Sequence, residues 1–233
     1  MEIVLVPGFW LDASSWDEVT PALVEAGHRV HPLTLPGLES RDTSRAGIGL
    51  QDHVDFVAAQ VDALDGDVVL IGHSGGGAII HGVADLRPGR IARNVYVDAG
   101  PPRPGEAIND ELPADGDEIP LPPWDEFMEM DLVDLDERIR ADFIARAIAQ
   151  PKGVAVDGIT LTDERRLEVP VTVICCEFPS QVLRDAIEAD EPWVGELARV
   201  RDVEYVDLPT GHWPQLTRPA DLGAAIVDAV RRR

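Results

Sequence analysis

The sequence predicts an α/β fold: about six mostly parallel strands with helices on both faces. Three observations lead there. Six short apolar runs, each the length of a strand, alternate with stretches of helical period. The central runs are continuously apolar, as in strands covered on both sides. The residues able to do chemistry gather in the loops that follow these runs, where open parallel sheets place their functional groups. The 233 residues suffice for a single domain, 1–233, with a sizeable core.

Taken in order, Glu2–Val6 reads as the first strand and Pro7-Gly8-Phe9-Trp10 as the loop at its end. A helix is expected from Ser14 or Ser15, with Glu18 in capping-box spacing to Ser15. Pro21 does not suit a helix interior, so the helix either breaks there or begins at Thr20. His28 to Leu35 is a second strand, closed by Pro36-Gly37, and 38–49 lacks any period. Leu50 to Leu64 is helical, with Val54, Val57, Val61 and Leu64 on one face. Val68–Ile71 is a buried strand, and a helix begins after Gly72-His73-Ser74-Gly75-Gly76 and runs to about Leu86. Asn94 to Val97 is the next strand. From 101 to about 123 the chain is rich in proline and acids and reads as irregular, whereas 124–149 has a helical composition and is expected to form one or two helices, with Trp124, Phe127, Met128, Leu132, Ile139, Phe143 and Ile144 as the apolar side. Val169 to Cys176 and Val203 to Leu208 are the last two strands, separated by helical sequence interrupted at Pro192. The final helix starts near Pro219 and is expected to bury Leu222, Ile226 and Val230.

Charge narrows the partners. Asp and Glu number 43 against 20 Lys and Arg, a net charge of −23. Such a surface repels polyanions, so neither nucleic acid nor an anionic membrane is expected as a partner. No apolar run approaches the ~18 residues of a membrane span, and the N-terminus has no basic region of the kind that opens a signal peptide. The only cysteines, Cys175 and Cys176, are adjacent within an apolar run and read as core residues. A cytoplasmic protein is expected. The sequence carries no sign of oligomeric state.

The most specific signal is G-x-S-x-G between a strand and a helix, the setting of a nucleophile elbow. There a sharp turn exposes the Ser74 hydroxyl at the strand end, just ahead of a helix N-terminus that favours developing negative charge. No Lys follows as a phosphate loop requires, and G-x-G-x-x-G cannot be written here. A serine hydroxyl needs a base. Of six histidines, His212 is the best placed, after the last strand. His28 and His31 flank a strand, His53 and His81 lie on helices, and His73 fills the variable position of the elbow. The oxyanion formed on attack needs preorganised donors. The backbone amides of Gly75, directly after the nucleophile, and of Phe9, after the first strand, are the candidates. Phe9 and Trp10 side chains fit equally a pocket wall or the core.

These segments, Val-Pro-Gly-Phe-Trp, Ala-Gly-His-Arg-Val, Leu-Pro-Gly, Gly-His-Ser-Gly-Gly and Thr-Gly-His-Trp, resemble the α/β-hydrolase superfamily over nearly the whole chain. Within it, the chain resembles the small bacterial esterases and the plant methylesterase and hydroxynitrile lyase group. The resemblance implies an α/β-hydrolase core at 1–100 and 166–233 and a lid inserted at about 101–165. It also implies that the two antiparallel strands which open the standard fold are missing, and that no cofactor or metal is needed. Two departures stand out. Pro7-Gly8 replaces the His-Gly of many members, which leaves the backbone donor intact. The family acid normally follows the strand at 169–176, where this chain has Cys-Cys-Glu-Phe-Pro-Ser and no aspartate before Asp185. The orienting acid is therefore expected at Asp98, which ends the preceding strand as in the pancreatic lipases, with Glu177 as the alternative; Asp98 also suits a plain turn cap.

The implied function is a cofactor-free serine hydrolase acting on a small-molecule carboxylic ester or lactone, with Ser74, His212 and Asp98 as its triad. Trp10, Trp124, Phe127 and Met128 are the expected substrate pocket, although the last three also suit a helical core. Ser74 excludes the Asp and Cys nucleophiles of related dehalogenases and dienelactone hydrolases. Hydroxynitrile lyases of the group carry Lys after the histidine and Thr in the oxyanion loop, where this chain has Trp213 and Phe9. A non-catalytic small-molecule binder of the same fold is the remaining alternative.

Overall fold

The computed structural model describes residues 1–231. Its main sheet is parallel throughout. Strands β1 (Glu2–Val6), β2 (Arg29–Pro32), β3 (Val68–His73) and β4 (Ile91–Val97) are joined, after a long excursion, by two more. The excursion holds a two-stranded antiparallel ribbon, β5 (Glu118–Ile119) with β6 (Gln150–Pro151). The last two sheet strands are β7 (Val171–Cys175) and β8 (Val203–Asp207), and the sheet order is β2-β1-β3-β4-β7-β8. The six expected strands are present, with β2 shorter than the apolar run that announced it.

Alternation along the strands sorts side chains into two cores. Ile3, Leu5, Val69, Ile71, Val95, Val97 and Ile174 face one side. Val4, Val6, Val68, Leu70, Tyr96, Val171 and Val173 face the other. Helices α1 (Thr20–Glu25) and α8 (Pro219–Arg231) cover the first side, burying Leu23, Leu222, Ile226 and Val230. Helices α2 (Leu50–Asp62) and α3 (Gly75–Leu86) cover the second, and Leu183 of α6 (Ser180–Glu188) joins them. Among the described residues, no helix is long and apolar enough to cross a membrane.

Two local expectations are met only in part. Ser15 caps nothing: Asp12 accepts from the Ser14 amide at 2.9 Å and opens a 3-10 turn at Ala13–Trp16; the α-helix begins at Thr20, the alternative start that Pro21 suggested, with Pro21 in its first turn. That is the position where the missing proline N–H costs nothing. The segment 124–149 forms one helix, α4 (Glu137–Arg146), preceded by a 3-10 turn at Trp124–Glu126 and by turns through residue 135. Its propensity for helix yields to packing: Trp124, Phe127 and Phe143 turn onto Trp213, with ring centroids 6.0, 5.4 and 5.4 Å away. Short helices α5 (Lys152–Val156) and α7 (Pro214–Thr217) complete the chain.

Candidate active site

The elbow is built by close backbone approach. Ser74 joins β3 to α3 with φ 49° and ψ −123°, a conformation that side chains rarely adopt. A Cβ on Gly72 would stand 2.5 Å from the Gly76 carbonyl oxygen, and one on Gly76 would stand 2.7 Å from those of Val6 and Pro7. Glycine at both positions lets β1, β3 and α3 meet at the turn. Gly75 is the first residue of α3, so its amide has no partner within the helix and faces the region where the helix dipole favours negative charge. The Phe9 ring lies over Gly75, 2.6 Å from where a Cβ would stand.

His212 reaches this turn from the loop after β8. Its Nε2 lies 2.8 Å from Ser74 Oγ, and its Nδ1 lies 2.7 Å from Asp98 Oδ2. Glu177 Oε1 lies 3.2 Å from the same Nδ1. Both acids are thus brought to His212, Asp98 the closer of the two. Asp98 Oδ1 also accepts from the amides of Cys176 and Glu177, at 3.1 and 3.2 Å. Gly211 has a packing role: a Cβ there would collide with the carbonyls of Asp131 and Val133. The His212 amide donates to the Asp131 carbonyl at 2.9 Å, which docks the histidine loop onto the inserted segment.

Electrostatics follow from this packing. Burial opposes charge on His212, but the hydrogen bonds and charges of Asp98 and Glu177 prevail and raise its pKa above that of an ordinary imidazole. Burial works against the Asp98 carboxylate, and the His212 hydrogen bond together with the two amides outweighs it, so Asp98 stays below its usual range. Glu177 is raised, by burial first and then by the charge of Asp98 and the neighbouring Asp131 carboxyl, which the bond to His212 only partly offsets. Burial pushes the Cys175 thiol up to about 12 and Cys176 upward as well, so neither supplies a thiolate.

One contributor was not legible as such. His73, the variable residue of the elbow, is fully buried; its Nε2 donates to the His212 carbonyl at 2.7 Å while Gln215 donates to its Nδ1 at 3.2 Å. Burial and the neighbouring His212 lower its pKa to about 3, which keeps it neutral. Its strand position and the polar Gln215 three residues past His212 were the available signals.

A cavity of about 360 Å³ opens at Ser74 and Gly75, between the segment after β4 (Ala99, Pro101, Ile108) and Phe178, Leu183 and Trp193. The aromatic residues expected to line the pocket do not reach it. Trp10 is buried, donates its indole N–H to the Ile119 carbonyl at 3.0 Å and stacks edge-on with Phe127, so it fastens the insert to the core. Trp124 and Phe127 pack on Trp213. Met128 is 62% exposed.

The family model "Alpha/beta hydrolase family" matches residues 3–225, and the chain belongs to that family. A carbendazim hydrolyzing esterase from Nocardioides sp. is 39% identical over 113 residues, covering 47% of this chain and 46% of the relative. A pyrethroid hydrolase from Sphingobium wenxiniae is 31% identical over 105 residues, 45% of this chain and 38% of the relative. These alignments span less than half of either relative. Among solved structures, an extracellular α/β-hydrolase from a Paenibacillus species superposes with a TM-score of 0.77 at 21% identity, covering 98% of both chains, and so shares the fold.

Proposed function

We propose that the protein is a cofactor-free serine hydrolase that cleaves small carboxylic esters or lactones through an acyl-enzyme. The observation that carries this reading is the chain of contacts from Asp98 Oδ2 through the two nitrogens of His212 to Ser74 Oγ, at 2.7 and 2.8 Å. In this reading Asp98 holds the Nδ1–H tautomer, so Nε2 is free to take the Ser74 proton. Oγ attacks the ester carbonyl. The oxyanion is met by the amides of Gly75 and Phe9, a pair in which each donor is worth about 3–4 kcal/mol. His212 then gives its proton to the departing alcohol. Water repeats the sequence on the acyl-enzyme and releases the acid. The apolar walls of the cavity suit a compact acyl or alcohol group. Relatives named for hydrolysis of carbendazim and pyrethroids support an ester-cleaving activity. A cytoplasmic location belongs to the same reading, in accord with two cysteines that are not joined.

The test has two parts. A fluorophosphonate probe is expected to label the wild type at Ser74 and to leave Ser74→Ala unlabelled. A panel of p-nitrophenyl esters from acetate to decanoate is expected to show turnover with a preference for short chains. A folded wild-type protein that neither takes the label nor turns over any ester overturns the hydrolase reading in favour of a small-molecule binder.

A further inference from the structure

We propose that Glu177 is a second positioning residue for His212, sharing the Nδ1–H with Asp98 and taking it over when Asp98 cannot accept it. The proposal rests on the reading of His212 as the base. Two adjacent parallel strands each deliver a carboxylate to one imidazole nitrogen: Asp98 follows β4 at 2.7 Å, and Glu177 follows β7 at 3.2 Å. A single N–H in this position has two acceptors within reach, and one suffices to fix the tautomer.

The two acids are also linked mechanically. Asp98 Oδ1 accepts from the Cys176 and Glu177 amides, so the turn that carries Glu177 is fastened to Asp98 itself. The groups facing His212 define the charge balance. Ser74 sits on Nε2, and the neutral ring of His73 lies 5.0 Å away. The carboxyls of Asp98 and Glu177 sit on Nδ1, and Asp131 reaches Glu177 from the inserted segment. The buried thiols of Cys175 and Cys176 carry no charge there.

Burial and the Asp98 charge both work against ionisation of Glu177. Removing the Asp98 charge removes one of those causes, so Glu177 becomes easier to ionise in the variant that needs it. Asparagine at 98 keeps an oxygen for the two amides, but it loses the charge and turns an NH2 donor toward Nδ1 in place of the acceptor.

The experiment is a double-mutant cycle on Asp98→Asn and Glu177→Gln, read by kcat/KM on the p-nitrophenyl ester best turned over and by NMR titration of the His212 ring. Removal of a sole orienting Asp costs about 10⁴-fold. Asp98→Asn is expected to lose on the order of 10²-fold, Glu177→Gln less than about tenfold, and the pair the full ~10⁴-fold. The His212 ring is expected to lose its charge at progressively lower pH from wild type to Glu177→Gln, to Asp98→Asn and to the double variant. The proposal is overturned if Asp98→Asn already shows the full loss and adding Glu177→Gln changes neither rate nor titration. If Asp98→Asn does not fold, Glu177→Gln alone decides: an unchanged ring titration overturns the proposal, and a lower one supports it. The titration needs no turnover, so a wild type without esterase activity would sink the hydrolase reading while still deciding whether two acids share His212.

Discussion

Two imidazoles lie 5.0 Å apart beside Ser74, and their surroundings are opposite. His212 has a hydroxyl on one nitrogen and two carboxyls on the other. His73 has a backbone carbonyl and an amide side chain, and is wholly buried. Carboxylates stabilise an imidazolium and neutral partners in a buried site do not. One ring is therefore raised in pKa and able to carry a proton during a reaction; the other is locked neutral and serves as a strut under the loop of the first. Residue type alone does not distinguish them.

The comparison is broken most directly by exchanging the losses. His212→Ala is expected to reduce ester hydrolysis by about 10⁴- to 10⁶-fold with little change in unfolding free energy. His73→Ala is expected to do the reverse in emphasis. It removes a buried ring and leaves the Gln215 amide and the His212 carbonyl without their partner, at a cost of about 3 kcal/mol, read by urea denaturation. Its activity loss, about 10²-fold, arises from displacement of His212. Equal activity losses in two folded variants would mean that His73 does more than support.

A second contrast is titration. In the proposed mechanism Ser74 is activated only when His212 is neutral, so kcat/KM is expected to rise with pH along a limb whose midpoint lies above the ordinary imidazole value of 6.5. The same shift acts on stability in the opposite sense. A group whose folded pKa is raised contributes stability that is fully present below its unfolded pKa and is lost as pH rises through the folded one. Between about pH 6.5 and the midpoint of the activity limb, the protein is therefore expected to lose stability as it gains activity. Denaturation and rate profiles over one pH series check both. His212→Gln is expected to flatten this component of the stability profile, and His73→Gln to leave its position unchanged.

The parts of this arrangement that the sequence displayed are those written in local patterns. Ser74 was legible because the strand, the glycines and the helix around it are contiguous. The β3 run and the G-x-S-x-G turn each require a particular residue at a particular offset. His212 was legible from its place after the last strand. What could not be read was spatial. The sequence named Asp98 and Glu177 as alternatives, but not that both reach one nitrogen, which follows from β4 and β7 being neighbours although 79 residues separate the two acids in the chain. His73 looked like a free position because its partners, His212 and Gln215, come from the far end of the sequence. The first half of the expected helical segment, before Glu137, departs from its composition for a related reason. Its helical composition is real, but the aromatic side chains that mark it are drawn onto Trp213, and Asp131 and Val133 present their carbonyls to Gly211.

That segment supplies the last and smallest contrast, between aromatic residues that hold the insert and a side chain that does not. Trp213 is 2% exposed and meets Trp124, Phe127, Phe143 and the His212 ring. Trp213→Ala is expected to cost about 3–5 kcal/mol, since a buried indole leaves a cavity that its aromatic neighbours only partly fill. Met128 carries the same helical spacing in the sequence but is 62% exposed and outside the cavity at Ser74. Exposed positions away from caps and networks change stability by less than about 0.5 kcal/mol, so Met128→Ser is expected to be silent in denaturation and in the KM of every ester in the panel. A rise in KM confined to the longest esters would show that Met128 folds back over a bound chain, and would place the insert in substrate recognition as well as in packing.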